Sequence, residues 1–204
     1  MGLPLLGIFM TLKKICIYCG SNPGRGDSYL AAARELGTAI AQRGIGLVYG
    51  GASVGVMGTV ADAVLAAGGH VTGIIPESLV KKEMAHPGLS EMHVTNSMHE
   101  RKRMMADLAD AFVALPGGAG TMEEIFEVWT WAQLGHHQKP CAFYNVNGYY
   151  DHLIRFLDHA VEEQFMKAPH RDMLIVADQP DDLLQRFASY EAPVVSKWIG
   201  HKDA

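Results

Sequence analysis

The sequence has no apolar run that approaches the roughly 18 residues of a membrane-spanning helix. It also has no excess of basic residues, because 17 Lys and Arg stand against 22 Asp and Glu and the net charge is −5. There is therefore no global positive field to attract nucleic acid or an anionic membrane surface. These absences predict a protein without nucleic-acid or membrane partners.

Cysteine is scarce as well, with only three residues in the chain. An odd, small number argues against a disulfide framework and fits a reducing cytoplasm. Cys16 and Cys19 form a CxxC, but in a strand two residues three positions apart point to opposite faces. No second CxxC and no HExxH is present. We therefore predict buried, inert thiols and no metal site, and expect His136 and His137, which follow a predicted helix, to lie on the surface.

Short apolar segments alternate with helix-like segments along the chain, which predicts a parallel sheet covered on both faces. The predicted strands are 14–19, 45–49, 70–75, 92–95, 111–115, 141–145 and 173–176. The predicted helices are 28–43, 55–67, 98–109, 121–134, 150–164 and 180–190. The expected fold class is α/β, a Rossmann-like doubly wound parallel sheet in one domain over 13–204. Residues 1–12 are expected to be an N-terminal extension, with Met10 as a candidate start.

Glycine-rich segments follow three of the predicted strands: CGSNPG at 19–24, YGGASVGVMG at 49–58 and PGGAGT at 116–121. In doubly wound sheets ligands bind beyond the carboxyl ends of the strands. Any one of these segments would serve as a plain strand-to-helix turn. Three together favour a nucleotide-type site, although none has the GxGxxG spacing or the lysine of a P-loop.

The segment PGGAGT leads into a predicted helix and is suited to hold a phosphate. Glycines let the backbone approach a ligand, and free N–H groups at a helix start bind anions. At about 100° per residue, Glu124 lies about 60° round the helix from Thr121, on the same face. Glu123 lies about 160° away and Glu127 about 120° away, so both point elsewhere. Glu124 is therefore predicted to project toward whatever is attached to the phosphate.

Another helix is predicted to begin after Ser97, which forms a capping box with Glu100. Arg101 falls within the apolar stripe of this helix, whereas Arg103 lies outside it and Lys102 sits at its edge. A charged residue on such a stripe is uncommon unless it is paired. A snorkelling or structurally paired arginine is one interpretation. We favour the other, in which Arg101 faces the ligand cleft.

The segments PGGAGTMEE, MHERK and YGGASVGVMGTVADA together resemble the Lonely guy family of cytokinin riboside 5'-monophosphate phosphoribohydrolases. The similarity covers 13–198 and includes EVWTWAQLG and NVNGYYD, while GGAS at 50–53 departs from the GGGS of many members. An alanine is expected to be tolerated there unless a positive φ is needed. The resemblance implies hydrolysis of the N-glycosidic bond of nucleoside 5'-monophosphates, AMP often included, with Arg101 and Glu124 as the catalytic residues. The predicted substrate-binding residues are Gly20, Ser21, Gly50, Gly51, Glu83, Lys102, Pro116, Gly117, Gly118, Gly120, Thr121 and Thr130.

The chemistry agrees with this resemblance. Glycosidic cleavage develops positive charge on the ribose, and an ionised carboxylate fixed nearby stabilises it. A place near a helix N-terminus favours the ionised form of Glu124. That residue can also orient or deprotonate water, and Arg101 can bind phosphate, hold Glu124 or assist departure of the base, positioning ranking first. No step requires a metal or organic cofactor.

Two other functions compete with hydrolysis. Molybdenum-cofactor carriers resemble this fold and phosphate loop, so a non-catalytic carrier is the main alternative. A lysine decarboxylase label has been attached to similar sequences, but that chemistry needs a lysine Schiff base with pyridoxal phosphate. The preferred base stays open. The helical segment EIFEVWTWAQL is apolar nearly all round, and this, with the resemblance, predicts at least a homodimer.

Overall fold

Seven strands form one parallel sheet in the computed structural model, which describes residues 12–80 and 85–193. The strands are β1 (Lys14–Tyr18), β2 (Gly46–Tyr49), β3 (Val71–Pro76), β4 (Glu91–Thr95), β5 (Ala111–Ala114), β6 (Cys141–Tyr144) and β7 (Leu174–Ala177). The helices are α1 (Ser28–Gln42), α2 (Gly55–Ala66), α3 (Glu77–Val80), α4 (Met98–Leu108), α5 (Ala119–Gln133), α6 (Asp151–Glu162), α7 (Ala168–Asp172) and α8 (Pro180–Ala188), with a 3₁₀ turn at Val146–Gly148. The predicted fold class and order of strands along the chain are confirmed.

The central strands are continuous apolar runs because both of their faces are covered by helices. Every residue of β2, β3, β5 and β6 is buried. The edge strand β4 is mostly accessible, which its sequence EMHVT reflects.

Successive residues of β1 point to opposite faces of the sheet, as strand geometry requires. Ile15 and Ile17 join the core on the face covered by α1, α2 and α8. Cys16 and Tyr18 join the core on the face covered by α4, α5 and α6. Cys19 belongs to the first core, so the two thiols of the CxxC lie on different faces, as predicted.

The strand order is β4-β3-β2-β1-β5-β6-β7. The chain therefore builds outward from β1 in one direction as far as β4, then returns to pair β5 with the other side of β1. Connections leaving β1 and β5 diverge at this point and open a crevice at their carboxyl ends. The crevice between β1 and β5 is where a ligand site is expected.

The boundaries of two predicted helices bear on the site. Helix α5 begins at Ala119, two residues before the predicted start, because Gly118 takes the N-cap position and the glycine at 120 is inside the first turn. Helix α4 begins at Met98 as predicted, and Ser97 Oγ accepts the N–H of Glu100 at 3.1 Å. The Glu100 carboxylate accepts from the N–H of Asn96 at 2.8 Å, one residue before the position that the capping box implies.

Some expectations fall on parts of the chain outside the described residues. These include Glu83 and residues 1–11 of the expected N-terminal extension. Leu12, the last residue of that segment, packs against the core between the sheet and α1, α2 and α8. Within 12–80 and 85–193, none of the helices has the length and apolar character needed to cross a bilayer.

Candidate active site

A cavity of about 470 Å³ lies at the switch point, bordered by the connections that follow β1 and β5. Its size falls in the range of roughly 300–1,000 Å³ that is usual for small-molecule sites. The lining residues are Cys19, Gly20, Ser21, Asn22, Pro23, Gly24, Tyr29, Val56, Met57, Leu79, Met98, Arg101, Pro116, Gly117, Gly118, Gly120, Thr121, Glu123, Glu124 and Tyr149. Nine of the predicted site residues are therefore brought together here: Gly20, Ser21, Arg101, Pro116, Gly117, Gly118, Gly120, Thr121 and Glu124.

The two glycine segments that border the cavity are joined through their backbones. The N–H of Gly20 donates to the carbonyl of Pro116 at 3.1 Å. A β-carbon on Gly117 would overlap both the Thr121 hydroxyl and the backbone nitrogen of Gly20. Glycine is therefore required at 117 for close approach of the two segments.

Gly118 and Gly120 differ from Gly117, because both are exposed and no close approach of another segment requires glycine there. A β-carbon on either would meet no atom of the described chain within 4 Å, and both residues border the cavity. The first N–H groups of α5 lack partners inside the helix, and Gly118 and Gly120 add no side chain that could cover them. A helix N-terminus of this kind is suited to bind an anion.

Two tyrosines from one segment hold the carbonyls of this loop. Tyr149 donates its hydroxyl to the carbonyl of Gly117 at 2.6 Å, and Tyr150 donates to that of Leu115 at 2.7 Å. Tyr150 is buried and stacks on Phe143, with ring centroids 4.4 Å apart. Tyr149 lines the cavity, and the sequence analysis did not assign it to the site. Its only signal there was its place in NVNGYYD, a segment quoted for the resemblance.

Arg101 is buried and reaches the cavity from α4. Its Nε donates to the carbonyl of Ile74 at 3.0 Å, and its Nη2 donates to that of Gly50 at 3.2 Å. Two of its five N–H donors are thus used by the backbone. This arginine is therefore structurally paired and also borders the cavity, so its pairing does not exclude a contact with a ligand.

Gly50 and Gly51, predicted to bind substrate, are buried and are not among the residues that line the cavity. A β-carbon on Gly50 would occupy the space of the Arg101 guanidinium. Gly51 has φ +81°, a conformation that favours glycine. Ala52 is not among the positive-φ residues of the described chain, so alanine is tolerated at that position.

The first turns of α5 separate its three glutamates. Glu124 is half-buried and lines the cavity. Glu123 is exposed at the cavity edge, and its carboxylate pairs with Lys102 Nζ at 2.5 Å. Glu127 pairs with the same Nζ at 3.0 Å. Glu124 borders the cavity and Glu127 does not, as helix geometry predicted, whereas Glu123 was predicted to point elsewhere and also borders the cavity.

Lys102 and Thr130 do not line the cavity, although both were predicted to bind substrate. Lys102 is buried, and its ammonium pairs with two carboxylates of α5. Thr130 lies nine residues beyond Thr121 along α5, which places it more than two turns from the helix N-terminus. The sequence assigned both residues without information on these tertiary positions.

The sequence did not point to a group of apolar residues that also lines the cavity, named here the apolar wall. It is formed by Val56 and Met57 at the start of α2, Leu79 of α3 and Met98 of α4. Met57 lies within YGGASVGVMG, where glycine spacing attracted attention and the apolar residues did not. Their side chains converge only because three separate elements end at the same side of the sheet.

The three cysteines are free and buried, and burial raises the pKa of each thiol well above its ordinary value. They therefore stay protonated and poorly nucleophilic at neutral pH. No group of three or more His, Cys, Asp or Glu suited to a metal ion occurs in the described part of the chain.

Comparison with known proteins adds sequence relatives across most of the chain. A family described as "possible lysine decarboxylase" matches residues 57–187. A rice protein named a probable cytokinin riboside 5'-monophosphate phosphoribohydrolase is 48% identical over 181 residues, covering 89% of this chain and 74% of the relative. A Rhodococcoides fascians protein named a cytokinin riboside 5'-monophosphate phosphoribohydrolase is 52% identical over 81% of this chain and 84% of its own. An Arabidopsis thaliana protein with that same enzyme name is 47% identical over 88% of this chain and 82% of its own.

Solved structures share the fold at lower identity. The molybdenum cofactor binding protein of Rippkaea orientalis has a TM-score of 0.65 and 22% identity, covering 86% of this chain and 95% of that one. The molybdenum cofactor carrier protein of Chlamydomonas reinhardtii has a TM-score of 0.63 and 21% identity over 86% of this chain and 94% of its own. At this identity the likeness concerns the fold alone. The sequence relatives decide the family, and this chain belongs to the Lonely guy family of cytokinin riboside 5'-monophosphate phosphoribohydrolases.

Proposed function

We propose that this protein hydrolyses the N-glycosidic bond of nucleoside 5'-monophosphates and releases a free base and ribose 5-phosphate. Cytokinin nucleotides, which the relatives' names specify, and AMP are the proposed substrates. One observation carries the proposal: Arg101 and Glu124 reach the same cavity from two helices, beside the open N-terminus of α5. A site that only carried a ligand would not need this pair of opposite charges.

The phosphate is assigned to the N-terminus of α5. Gly118 and Gly120 leave its N–H groups accessible, and Thr121 adds a hydroxyl that faces Gly117. Glu124 follows one turn later on the same face. A phosphate bound at the helix start therefore places the attached ribose beside the Glu124 carboxylate, and the base extends toward the apolar wall of Val56 and Met57.

The reaction needs a carboxylate at the sugar. The bond between C1′ and the base nitrogen breaks, its electron pair leaves with the base, and the base takes up a proton. A water oxygen forms the new bond to C1′ and gives up a proton. Glu124 stabilises the positive charge that develops on the ribose and orients or deprotonates this water. Arg101, fixed by two backbone carbonyls, holds the reacting groups in position.

Lysine decarboxylation is poorly supported by the site, although the matching family carries that description. Within the described chain the cavity wall contains no lysine that could form a Schiff base. The nearby Lys102 is engaged by Glu123 and Glu127, whose hydrogen bonds and charges outweigh the lowering by burial and raise the pKa of this lysine. A Schiff-base lysine needs the neutral amine, so the environment of Lys102 favours the wrong form.

Incubation of the purified protein with AMP, with free adenine followed by chromatography, tests the proposal. Because the remote phosphate contributes binding energy that lowers the barrier at the sugar, kcat/KM on AMP should exceed that on adenosine by roughly 10²-fold. Equal values on the two compounds would refute the role of the phosphate site. Tight binding of AMP without release of adenine would favour the carrier function instead. A panel with isopentenyladenosine monophosphate, GMP and CMP then identifies the preferred base.

We also propose that the protein acts as a homodimer or higher homo-oligomer in a reducing cytoplasm. Three buried free thiols agree with a reducing compartment. Some of the apolar residues of α5 are covered within the chain itself, because Trp129 is buried and Trp131 packs partly against the core. Leu134, just beyond the helix, keeps 38% of its surface exposed and is available to a second subunit.

A further inference from the structure

Lys102 occupies an unusual environment for a lysine. It is 8% exposed, and its ammonium lies 2.5 Å from a carboxylate oxygen of Glu123 and 3.0 Å from one of Glu127. These two glutamates lie four residues apart on α5, where like charges repel and destabilise a helix. The shared ammonium offsets that repulsion, and removing it would leave two carboxylates facing each other across one turn.

The carboxylate of Glu127 makes this arrangement more sensitive to the loss of Lys102. Its second carboxylate oxygen is buried and has no hydrogen-bond partner within the described residues. A buried acceptor without a partner costs free energy. The contact with Lys102 therefore offsets part of the cost of burying the Glu127 carboxylate. Without it, the side of α5 that carries Glu123 and Glu127 would lose its charged contact with α4.

The helices joined by this contact rest on different parts of the sheet. Helix α4 packs over β3, β2 and β1, and α5 packs over β5 and β6 as well as β1. Arg101 is fixed to the first part through the carbonyls of Ile74 and Gly50. Glu124 is fixed to the second part through α5. The contact from Lys102 to Glu123 and Glu127 joins the two helices, and it lies next to Arg101 on one side and Glu124 on the other.

We propose that Lys102 is a positioning residue that sets the distance between Arg101 and Glu124 by holding α5 against α4. This inference rests on the proposed hydrolysis and extends it, because Lys102 acts through Glu123 and Glu127 rather than through the substrate. Two of the three residues in this contact are sequence neighbours of a catalytic residue: Lys102 follows Arg101, and Glu123 precedes Glu124. A shift of one helix along the other therefore moves the catalytic carboxylate directly.

The test compares Lys102→Met, Lys102→Arg and Arg103→Met by steady-state kinetics on AMP. Arg103 is the matched control, because it is adjacent, exposed and paired with Asp107 at 2.9 Å on its own helix. Lys102→Met should lower kcat roughly 10-fold to 100-fold, as expected when reacting groups are misplaced by about 1 Å, with KM changed less than about 3-fold. Lys102→Arg, which keeps the charge and can reach both carboxylates, should recover most of kcat. Arg103→Met should stay within about 2-fold of the parent.

A second set separates positioning from substrate contact. Glu123→Gln together with Glu127→Gln should reduce kcat in the same way, and adding Lys102→Met should cause little further loss, because all three changes remove one contact. Multiplying effects, or a higher KM with unchanged kcat, would show that Lys102 binds substrate and would overturn the proposal. Lower thermal stability with unchanged kcat would overturn it as well. If Lys102→Met does not fold, the double glutamate variant carries the test.

Failure of the proposed function gives a different result. In that case the parent protein releases no base from any nucleotide, and the kinetic comparison does not start. Crystal structures of the parent and of Lys102→Arg and Lys102→Met then measure the distance from the Arg101 guanidinium to the Glu124 carboxylate. A distance that changes only in Lys102→Met supports the positioning role, and an unchanged distance in both variants refutes it.

Discussion

Two adjacent glutamates of α5 carry the same charge but have different surroundings. Glu124 is half-buried in the cavity, whereas Glu123 is exposed at its edge and shares Lys102 with Glu127. Glu124→Gln should lower kcat on AMP by roughly 10²-fold or more, as when a preorganised charge is removed from a transition state. Glu123→Gln should stay within a few-fold of the parent, because Glu127 keeps Lys102 paired. Equal losses of kcat in the two variants would contradict the assigned roles. Circular dichroism of both variants serves as the folding control.

Arg101 and Arg103 offer a second pair of like-charged residues on one helix. Arg101→Ala should lower kcat by roughly 10²-fold or more, because the fixed guanidinium at the cavity is lost. This change also removes two hydrogen bonds, to the carbonyls of Ile74 and Gly50, each worth about 1–3 kcal/mol. Activity should therefore be measured well below the melting temperature. Arg103→Ala removes only an exposed pair with Asp107 and should stay within a few-fold; a comparable loss there would point to a general effect of charge.

At the scale of elements, His137 ties the end of α5 to the approach of β6. Its Nε2 donates to the carbonyl of Val128 at 2.9 Å, and its Nδ1 accepts from the N–H of Lys139 at 3.1 Å. Both contacts need the neutral ring with its proton on Nε2. The expected surface position is confirmed for His136, which is exposed, whereas the ring of His137 is half-buried beside Phe112. Burial, with the charges of Lys139 and His136, outweighs the Val128 contact and lowers the pKa of His137.

The lowered pKa predicts a pH dependence of stability. The unfolded chain takes up a proton below its pKa of about 6.5, whereas the folded ring resists it. The contribution of His137 is therefore present above about pH 6.5 and is lost as the pH falls through the folded pKa. In His137→Asn, urea titrations should show a shallower decline in the free energy of unfolding between pH 7.5 and 5. The slope of that decline should fall by no more than the amount that one bound proton per chain accounts for. His136→Asn is the matched control, and an equal change in both variants would exclude burial at 137 as the cause.

Much of this architecture follows from the sequence, because the signals are local. Continuous apolar runs predicted the parallel strands, and helix periodicity placed Glu124 at the site because Thr121 and Glu124 lie within one turn of each other. Lys102 could not be placed in the same way, because its partners lie 21 and 25 residues away on another helix. Tyr149 was missed because its contact to Gly117 spans 32 residues. The sequence marked the glycine at 50 as important and could not show that it makes room for an arginine.

At the scale of the whole molecule, the exposed apolar residues support assembly. Phe156 is 63% exposed and Phe165 is 90% exposed, in addition to Leu134 beyond α5. We expect light scattering at micromolar concentration to give a mass at least twice the 22.2 kDa of one chain. A dilution series at micromolar concentration should show the oligomer persisting, because burial of apolar surface favours association. A mass of one chain throughout would contradict the prediction.

The anchor of Arg101 has a consequence for how relatives of this protein diverge. Both acceptors are backbone carbonyls, which every amino acid supplies, so replacement of the Ile74 side chain leaves its acceptor in place. Position 50 has the same kind of acceptor but is restricted, because a side chain there would displace the guanidinium. The amino acid at position 74 can therefore change while glycine is kept at position 50, and Arg101 still has both of its carbonyl acceptors. Relatives can preserve the orientation of this arginine while the residues that hold it share no side-chain chemistry, and a comparison of letters alone would not reveal the contact.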